Sequence, residues 1–442
     1  MFYIVEQEEK LNQLQSLGRL GYYVDIIPTN FYFHPLLTST VAVYVRPLGG
    51  KNGYIIPINH DEGLNIKKER VYELLNSASK IVTLDKKNLL YHFNLQKATD
   101  ISLLYSMIYF KKLEYSKENS ALNYFYNKFS NIDNVNQIIP LSKLYESSEK
   151  VYNSIEEHLD LYPPSGFEFY NTTATNVFFL LEQSGLGIYY EAFNKMFSPR
   201  NPVYNIKDNI TYTSYNLYNA TSRPTNAFNS VNYAAIPKTE EHRKCFRQQN
   251  DYFVEFDFDG YHLRLLCDEI DFDIPSTSAH KYLAQIYFNK EEISEEEYTE
   301  AKQINFHAIY GKIPEKFAFL EIFDKIQKYI DSMWIQYEAL GIVQNPMSEK
   351  PFTEELKDMN PQKLMNYMMQ SLETSRNILI LKEVLRYLKD KRTKIALYTY
   401  DAILFDFSKE DGKNTLEDIQ RIMEENGKYP TKFKFSENLV LD

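Results

Sequence analysis

Cysteine is nearly missing from this chain. Cys245 and Cys267 are the only two, too few for a disulfide scaffold, so a reducing compartment is expected. No CxxC pair occurs, and a cysteine zinc site is not expected. Long apolar runs are missing too. No stretch of 18 apolar residues occurs, and MFYIVEQEEKLNQLQ has no basic start followed by an apolar run. The expectation is a soluble, cytoplasmic protein with no membrane partner. An excess of basic residues is also missing: 49 Lys and Arg face 60 Asp and Glu, for a net charge of -11. Taken alone, that argues against a nucleic-acid binder. The electrostatic footprint is local, however, and basic clusters occur at Lys67 to Arg70, Arg243 to Arg247 and Lys389 to Lys394. Each of these also reads as an ordinary solvated face. Internal repeats and low-complexity tracts are absent.

The chain has 442 residues, enough for two or three domains with real cores. A single Trp stands against 37 Tyr and 29 Phe, so much of the apolar surface carries a polar handle. Residues 1–110 read as an α/β unit. YYVDII, TVAVYVRPL, GYIIPI and IVTL are strand-like, and KERVYELLNSA and DISLLYSMIYF are helix-like. Residues 111–180 are mostly polar and helical. Within them NTTATNVFFLLEQSGL begins a capped helix expected to end near Gly185. Residues 199–240, with Pro199 and Pro202, form an ordered polar loop region. Farther on, YFVEFDF alternates like a strand and AHKYLAQIYF reads as a helix. Ser294 and Glu297 make a capping box for a second helix, which Gly311 and Pro314 stop. Long helices are expected at 315–340 and 362–389, and IALYT and ILFDF flank a tight turn at Tyr400, Asp401 and Ala402.

Two acids stand out. Asp257 ends an apolar strand and Asp401 sits in the turn of a hairpin, each among Phe, Tyr, Ile and Leu. An acid in such surroundings is costly unless it is paired, hydrogen-bonded or bound to a cation. Brought together, two such acids suit a pair of Mg²⁺ ions, which prefer carboxylate oxygens. Two metals about 4 Å apart clamp the attacking and leaving oxygens of a phosphoryl transfer. Taken singly, each acid reads equally well as a turn cap or a solvent-facing group, and Glu255, Asp259, Asp268, Asp406 and Glu410 compete with them. Lys302, Phe306 and Tyr310 recur every fourth residue and so share one helix face. An ammonium, a ring and a phenol on one face suit a nucleotide, or else two core aromatics beside a snorkelling lysine.

Several segments together resemble the family-A DNA polymerases. AKQINFHAIYG resembles the nucleotide-binding fingers helix of that family, FVEFDFDGYHLRLL its first palm motif and YTYDAILFDF its second. TSRPTN with VNYAAIP resembles the arginine-containing loop and its Asn-rich partner, and Arg243 and Phe246 fit the next step. SAHKYLAQIYF resembles the opening of the fingers, IFDKIQKYIDSMWIQYEALGIV the long helix that follows, and MMQS the glutamine motif. The order is the family's, across about 180–410. The resemblance implies a palm-and-fingers domain at 181–442, with fingers at about 271–345 and template-directed DNA synthesis from dNTPs on primer-template DNA. It implies two Mg²⁺ ions, replaceable by Mn²⁺, held by Asp257, Asp401 and the backbone carbonyl of Phe258. Lys302 would meet the triphosphate, Phe306 would pack on the sugar and Tyr310 would close beside the templating base. Arg223, Asn232, Arg264, Gln370 and Tyr400 would lie along the primer-template. A phage-type replicative enzyme with a processivity or replisome partner is the implied setting.

The family pattern breaks in four places. His262 stands where a Glu excludes the ribose hydroxyl. Tyr298 stands where an Arg begins the basic face of the fingers helix, leaving Lys312 or Arg264 to compensate. Tyr400 and Ala402 replace the His and Glu that flank the hairpin Asp. The interval from Ile188 to Thr221 is too short for a full thumb, so 111–180 reads as a helical connector or reduced thumb. At the N-terminus, VDIIPTNFYFHP, YVRPL and GYIIPINH resemble a ribonuclease H-like 3′–5′ exonuclease domain over 1–110. Asp25 and Asp100 are its surviving candidate acids. Ile27 occupies the place of a catalytic Glu and KKNLLYHF offers no Asp, so the domain is expected to be degenerate. The competing expectation is a catalytically silent, polymerase-derived binding or structural module of a replication or defence complex.

Overall fold

The computed structural model describes residues 2–31, 33–114, 135–197, 205–227, 231–237, 239–310, 313–425 and 427–441. Pro199, Pro202, Gly311, Lys312 and the connector residues 115–134 lie outside them. The chain is a mixed α/β, multidomain protein. Among the described residues, no helix is long and apolar enough to cross a membrane.

The N-terminal unit is built on five strands: β1 (Tyr22–Pro28), β2 (Thr40–Pro47), β3 (Tyr54–Pro57), β4 (Ile81–Thr83) and β5 (Ala98–Asp100). Their order is β3-β2-β1-β4-β5. The β1–β2 and β2–β3 pairs are antiparallel, and β1–β4 and β4–β5 are parallel. β1 and β2 are rich in Val, Ile and Tyr and are covered on both faces, as strands of a central sheet must be. The helix α1 (Leu141–Ile155), in the expected connector, packs on this sheet. Its Glu149 accepts from Tyr44 and from the Gly53 amide and pairs with Arg46 at 3.3 Å, while Ser148 donates to Asp25 at 3.0 Å.

The stretch expected to open as a capped helix is instead a π-helical turn, Phe169–Ala174, running straight into α2 (Thr175–Leu181), with no side-chain cap. The residue read as a cap is occupied elsewhere. Asn171 accepts from the Asp100 amide at 3.0 Å and donates to the Ala98 carbonyl at 3.1 Å, tying this helix to the end of β5.

The C-terminal half rests on a four-stranded antiparallel sheet. Its strands are β6 (Tyr252–Phe258), β7 (Lys394–Thr399), β8 (Ala402–Phe407) and β9 (Thr431–Ser436), in the order β7-β8-β6-β9. Behind and beside it lie α3 (Tyr261–Glu269), α4 (Ala279–Phe288), α5 (Glu295–Ile309), α6 (Glu321–Leu340) and α7 (Pro361–Tyr387). The Ser294–Glu297 capping box is present at the start of α5. Asn360 accepts from the Lys363 amide to cap α7, with Pro361 at its first position. The described part of the Ile188–Thr221 interval holds one eight-residue helix and short strands.

One buried acid joins the two halves. Glu182, just past α2, pairs with Lys87 of the N-terminal unit and lies 3.6 Å from His34. It also accepts from Tyr91 at 3.1 Å and from the Tyr215 amide at 2.5 Å. Burial alone would push its carboxyl up, but Lys87, together with His34, holds it below the ordinary value. Tyr215 passes the connection on. Its hydroxyl donates to the Tyr398 carbonyl at 3.0 Å and accepts from the Tyr398 amide at 2.9 Å, in the strand that leads to Asp401. Replacing Glu182 with Leu strands a buried Lys and should cost about 3–5 kcal/mol in urea unfolding. A depressed carboxyl stabilises the fold above its unfolded value, and that stability is lost as pH falls through the folded value. The gap in Tm between the parent and Glu182→Gln should therefore narrow as pH drops below the usual carboxylate range.

Candidate active site

β6 and β8 bring the two acids together. Asp257 is the cross-strand partner of Ala402, and the Phe258 amide donates to the Asp401 carbonyl at 3.2 Å. Asp401 occupies the second position of a two-residue turn in which Tyr400 takes a positive φ of 62°. A bulky residue rarely adopts that conformation unless its surroundings enforce it. Here Asn377 donates to the Tyr400 carbonyl at 2.7 Å, and the Arg223 guanidinium stacks 3.7 Å above the Tyr400 ring.

Asp257, Asp401 and Glu255 line one groove. Both aspartates are exposed, and the groove around them displaces part of their water. Burial, then Asp401 and Glu255, pushes the Asp257 carboxyl up to about 6. Burial, then Glu373, raises that of Asp401. Neither aspartate has an ion pair among the described residues. Two adjacent carboxylates with no ion-pair partner match the donor chemistry of a hard divalent metal. Among the described residues no group of three or more His, Cys, Asp or Glu could hold a metal, so Asp257, Asp401 and a backbone carbonyl would have to supply the protein ligands.

Asp401 also lines a second cleft, of about 240 Å³, and this one gathers the residues expected from the sequence to meet a nucleotide. Lys302, Phe306 and Tyr310 face it from α5, His262 from α3 and Arg223 from its loop. Phe306 is 59% exposed and meets Tyr310 edge to face at 5.0 Å. Tyr298 lies one turn before Lys302, its ring perpendicular to His280 at 6.3 Å. Gly260 starts α3 at φ 62°, so close to α4 that a Cβ there would lie 3.1 Å from that of Ala279.

The long helix α7 supplies a residue that the sequence motifs did not reveal. Gln370, Glu373 and Asn377 fall on one helical face. Glu373, its side chain 2% exposed, lies 2.9 Å from Arg223 Nε and 3.2 Å from His262 Nε2. An acid from another element thus sits beside His262. Its only sequence signal was a carboxylate on the buried side of a helix. Gln370 accepts from Thr221 at 3.4 Å, beside the Arg223 loop. That loop is tied further by Lys350, wholly buried, which donates to Ser222 at 2.7 Å.

Other expected residues lie elsewhere. Arg264 is buried and donates to the carbonyls of Asp259, Pro275 and Thr277 at 2.9, 3.0 and 2.6 Å, so it braces the α3–α4 loop and is turned away from the cleft. Asn232 is exposed, ahead of the short turn whose Tyr233 and Ala234 line the carboxylate groove. Asp25 and Asp100 sit on β1 and β5 with β4 between them. Asp100 caps the helix Ile101–Tyr109 and accepts from the Lys86 amide and from Tyr218, each at 3.0 Å.

Glu373→Ala leaves Arg223 and His262 without their buried acid. Urea unfolding should show a loss of about 3 kcal/mol, at the low end for a broken buried pair because Arg223 stays partly solvated.

No protein-family model matches the chain, and no curated protein does. Solved structures do. One is described as the POL domain of Pol1 from M. smegmatis in complex with DNA primer-template and dNTP; it matches with a TM-score of 0.69 over 99% of each chain, at 12% identity. With its sheets, helices and clefts so arranged, the chain shares the fold of that polymerase domain.

Proposed function

We propose that this chain is a template-directed DNA polymerase of the family-A type, adding dNMP from dNTP to a primer 3′ end. One observation carries the reading. Asp401 belongs both to the groove of repelling carboxylates and to the cleft lined by Lys302, Phe306, Tyr310 and His262. A reacting phosphate held by the second would lie against the first. Asp257, Asp401 and the Phe258 carbonyl would hold two Mg²⁺ or Mn²⁺ ions, which supply charge neutralisation and polarise the attacking and leaving oxygens.

The chain's own residues do the positioning. Lys302 meets the triphosphate as a point charge. Phe306 packs on the sugar, and Tyr310 borders the templating base. His262, held by Glu373, forms the wall near the sugar 2′ carbon. Arg223, Gln370 and Tyr400 face the primer end. The bond from the primer 3′ oxygen to the α-phosphorus forms as that to the bridging oxygen breaks. Pyrophosphate leaves, and the hydroxyl proton passes to water.

The same reading assigns 1–110 to a ribonuclease H-like, exonuclease-like unit that no longer cleaves, 111–180 to a connector and 181–442 to palm and fingers. The β3-β2-β1-β4-β5 order supports the first assignment, and the engagement of Asp100 in capping supports the loss of cleavage. The packing of α1 on the N-terminal sheet favours a connector over a thumb. With no long helical pair between Ile188 and Thr221 among the described residues, duplex grip is weak. The chain alone should add few nucleotides per binding event, and a processivity partner would lengthen the products.

Primer extension tests the reading. Parent protein with Mg²⁺ or Mn²⁺ should extend a primed template. Asp257→Asn and Asp401→Asn should each lose about a thousandfold or more, as expected when several kcal/mol of charge stabilisation disappear. Tight primer-template binding by a parent that extends nothing with either metal would instead establish a silent binding module.

A further inference from the structure

The phosphate end of the cleft has a charge deficit. On α5, Lys302 is basic, but Tyr298 one turn earlier can only donate a hydrogen bond and neutralises nothing. Arg264 does not make up the difference, because its guanidinium is spent on three carbonyls. His280 shares its Nδ1 with Asn305 at 3.0 Å.

A cation reaches the place from the far end of the chain. β9 is the edge strand beside β6, and its register sets Lys432 directly opposite Asp257. Cross-strand partners project on the same face with Cβ atoms about 5 Å apart. The Lys432 ammonium is therefore on the carboxylate side of the sheet. It is 65% exposed and pairs with Asp259 at 2.6 Å. Asp259 keeps other partners when the lysine leaves, since it also accepts from the Ala279 amide at 3.1 Å and lies 3.8 Å from Arg264. Lys432 thus has a resting partner and freedom to leave it. Asp259, its partner, binds the amide that starts α4, and the next residue, His280, meets the Tyr298 ring at 6.3 Å, so the lysine lies between the carboxylate groove and the start of α5. Lys434, the next residue on that face, is diverted to the Leu441 carbonyl at 3.3 Å.

We propose that Lys432 supplies the second cationic contact to the β- and γ-phosphates of the incoming nucleoside triphosphate, in the place where Tyr298 carries no charge. This rests on the polymerase reading above. On arrival of the triphosphate, Lys432 exchanges Asp259 for phosphate oxygens, and on departure of pyrophosphate it returns. Lysine suits such an exchange, because its ammonium is a flexible point charge with no fixed fork geometry.

The test measures equilibrium binding of the correct dNTP to the complex with a dideoxy-terminated primer, so that no chemistry occurs. Lys432→Ala should weaken dNTP binding about tenfold, the worth of one charge-assisted contact. Primer-template affinity should be unchanged, and Tm should fall only slightly, because Asp259 keeps the Ala279 amide and Arg264. Lys432→Arg should stay near the parent, and Tyr298→Arg placed in the Lys432→Ala background should recover most of the loss. The KM for pyrophosphate in the reverse reaction should rise in parallel. Parent-like dNTP binding by Lys432→Ala, in a chain that does extend primers, overturns the proposal. So does an equal loss of primer-template affinity, which would make Lys432 a duplex contact. A parent that neither binds dNTP nor extends primers overturns the polymerase reading itself, and this proposal with it.

Discussion

The repulsion between Asp257 and Asp401 organises this structure. Burial, Asp401 and Glu255 raise the proton affinity of Asp257, burial and Glu373 raise that of Asp401, and neither aspartate has an ion-pair partner among the described residues. A fold left to minimise its energy would turn one of them away. Instead α7 and the Arg223 loop fix the hairpin that carries Asp401, through Asn377 on the backbone of Tyr400 and Arg223 on its ring. The positive φ at Tyr400 measures the constraint. The chain keeps an unfavourable pair in place, at a cost that the surrounding structure bears.

The charge distribution follows from the same constraint. A net charge of -11 suggests a protein that avoids polyanions. At the site, however, cations are delivered singly from separate elements: Lys302 from α5, Arg223 from a loop and Lys432 from the last strand. Glu373 then limits how much positive charge the cleft presents, by taking up Arg223 and His262. The field near the carboxylates is set chiefly by nearby side chains, because exposed charges more than about 8 Å apart are largely screened at physiological salt.

Much of this was legible in the sequence, for identifiable reasons. The Ser294–Glu297 box, the alternation of YFVEFDF and the strand pair around Tyr400–Asp401 are local patterns, and local physics decides them. The every-fourth-residue spacing of Lys302, Phe306 and Tyr310 placed them on one face, and the structure sets that face in one cleft. What escaped depends on distant partners. Glu373 looks like any acid in a helix until Arg223 and His262 arrive from elsewhere. Arg264 sits in a motif that suggests a ligand-facing role, yet the loop at Pro275–Thr277 folds back to take its donors. Asn171 read as a helix cap because nothing nearby announces its bonds to β5. Lys432 gains its setting only from strand register.

The Glu182–Tyr215 joint bears on how such a chain evolves. Tyr215 is bound at its backbone by an acid that also serves the N-terminal unit, and at its hydroxyl by the strand that leads to Asp401. Removing the N-terminal unit would take Lys87 and His34 with it and leave that acid buried and unpaired beside the strand that leads to Asp401. The unit therefore works as a structural part of the hairpin's support, and selection on its packing persists for that reason alone.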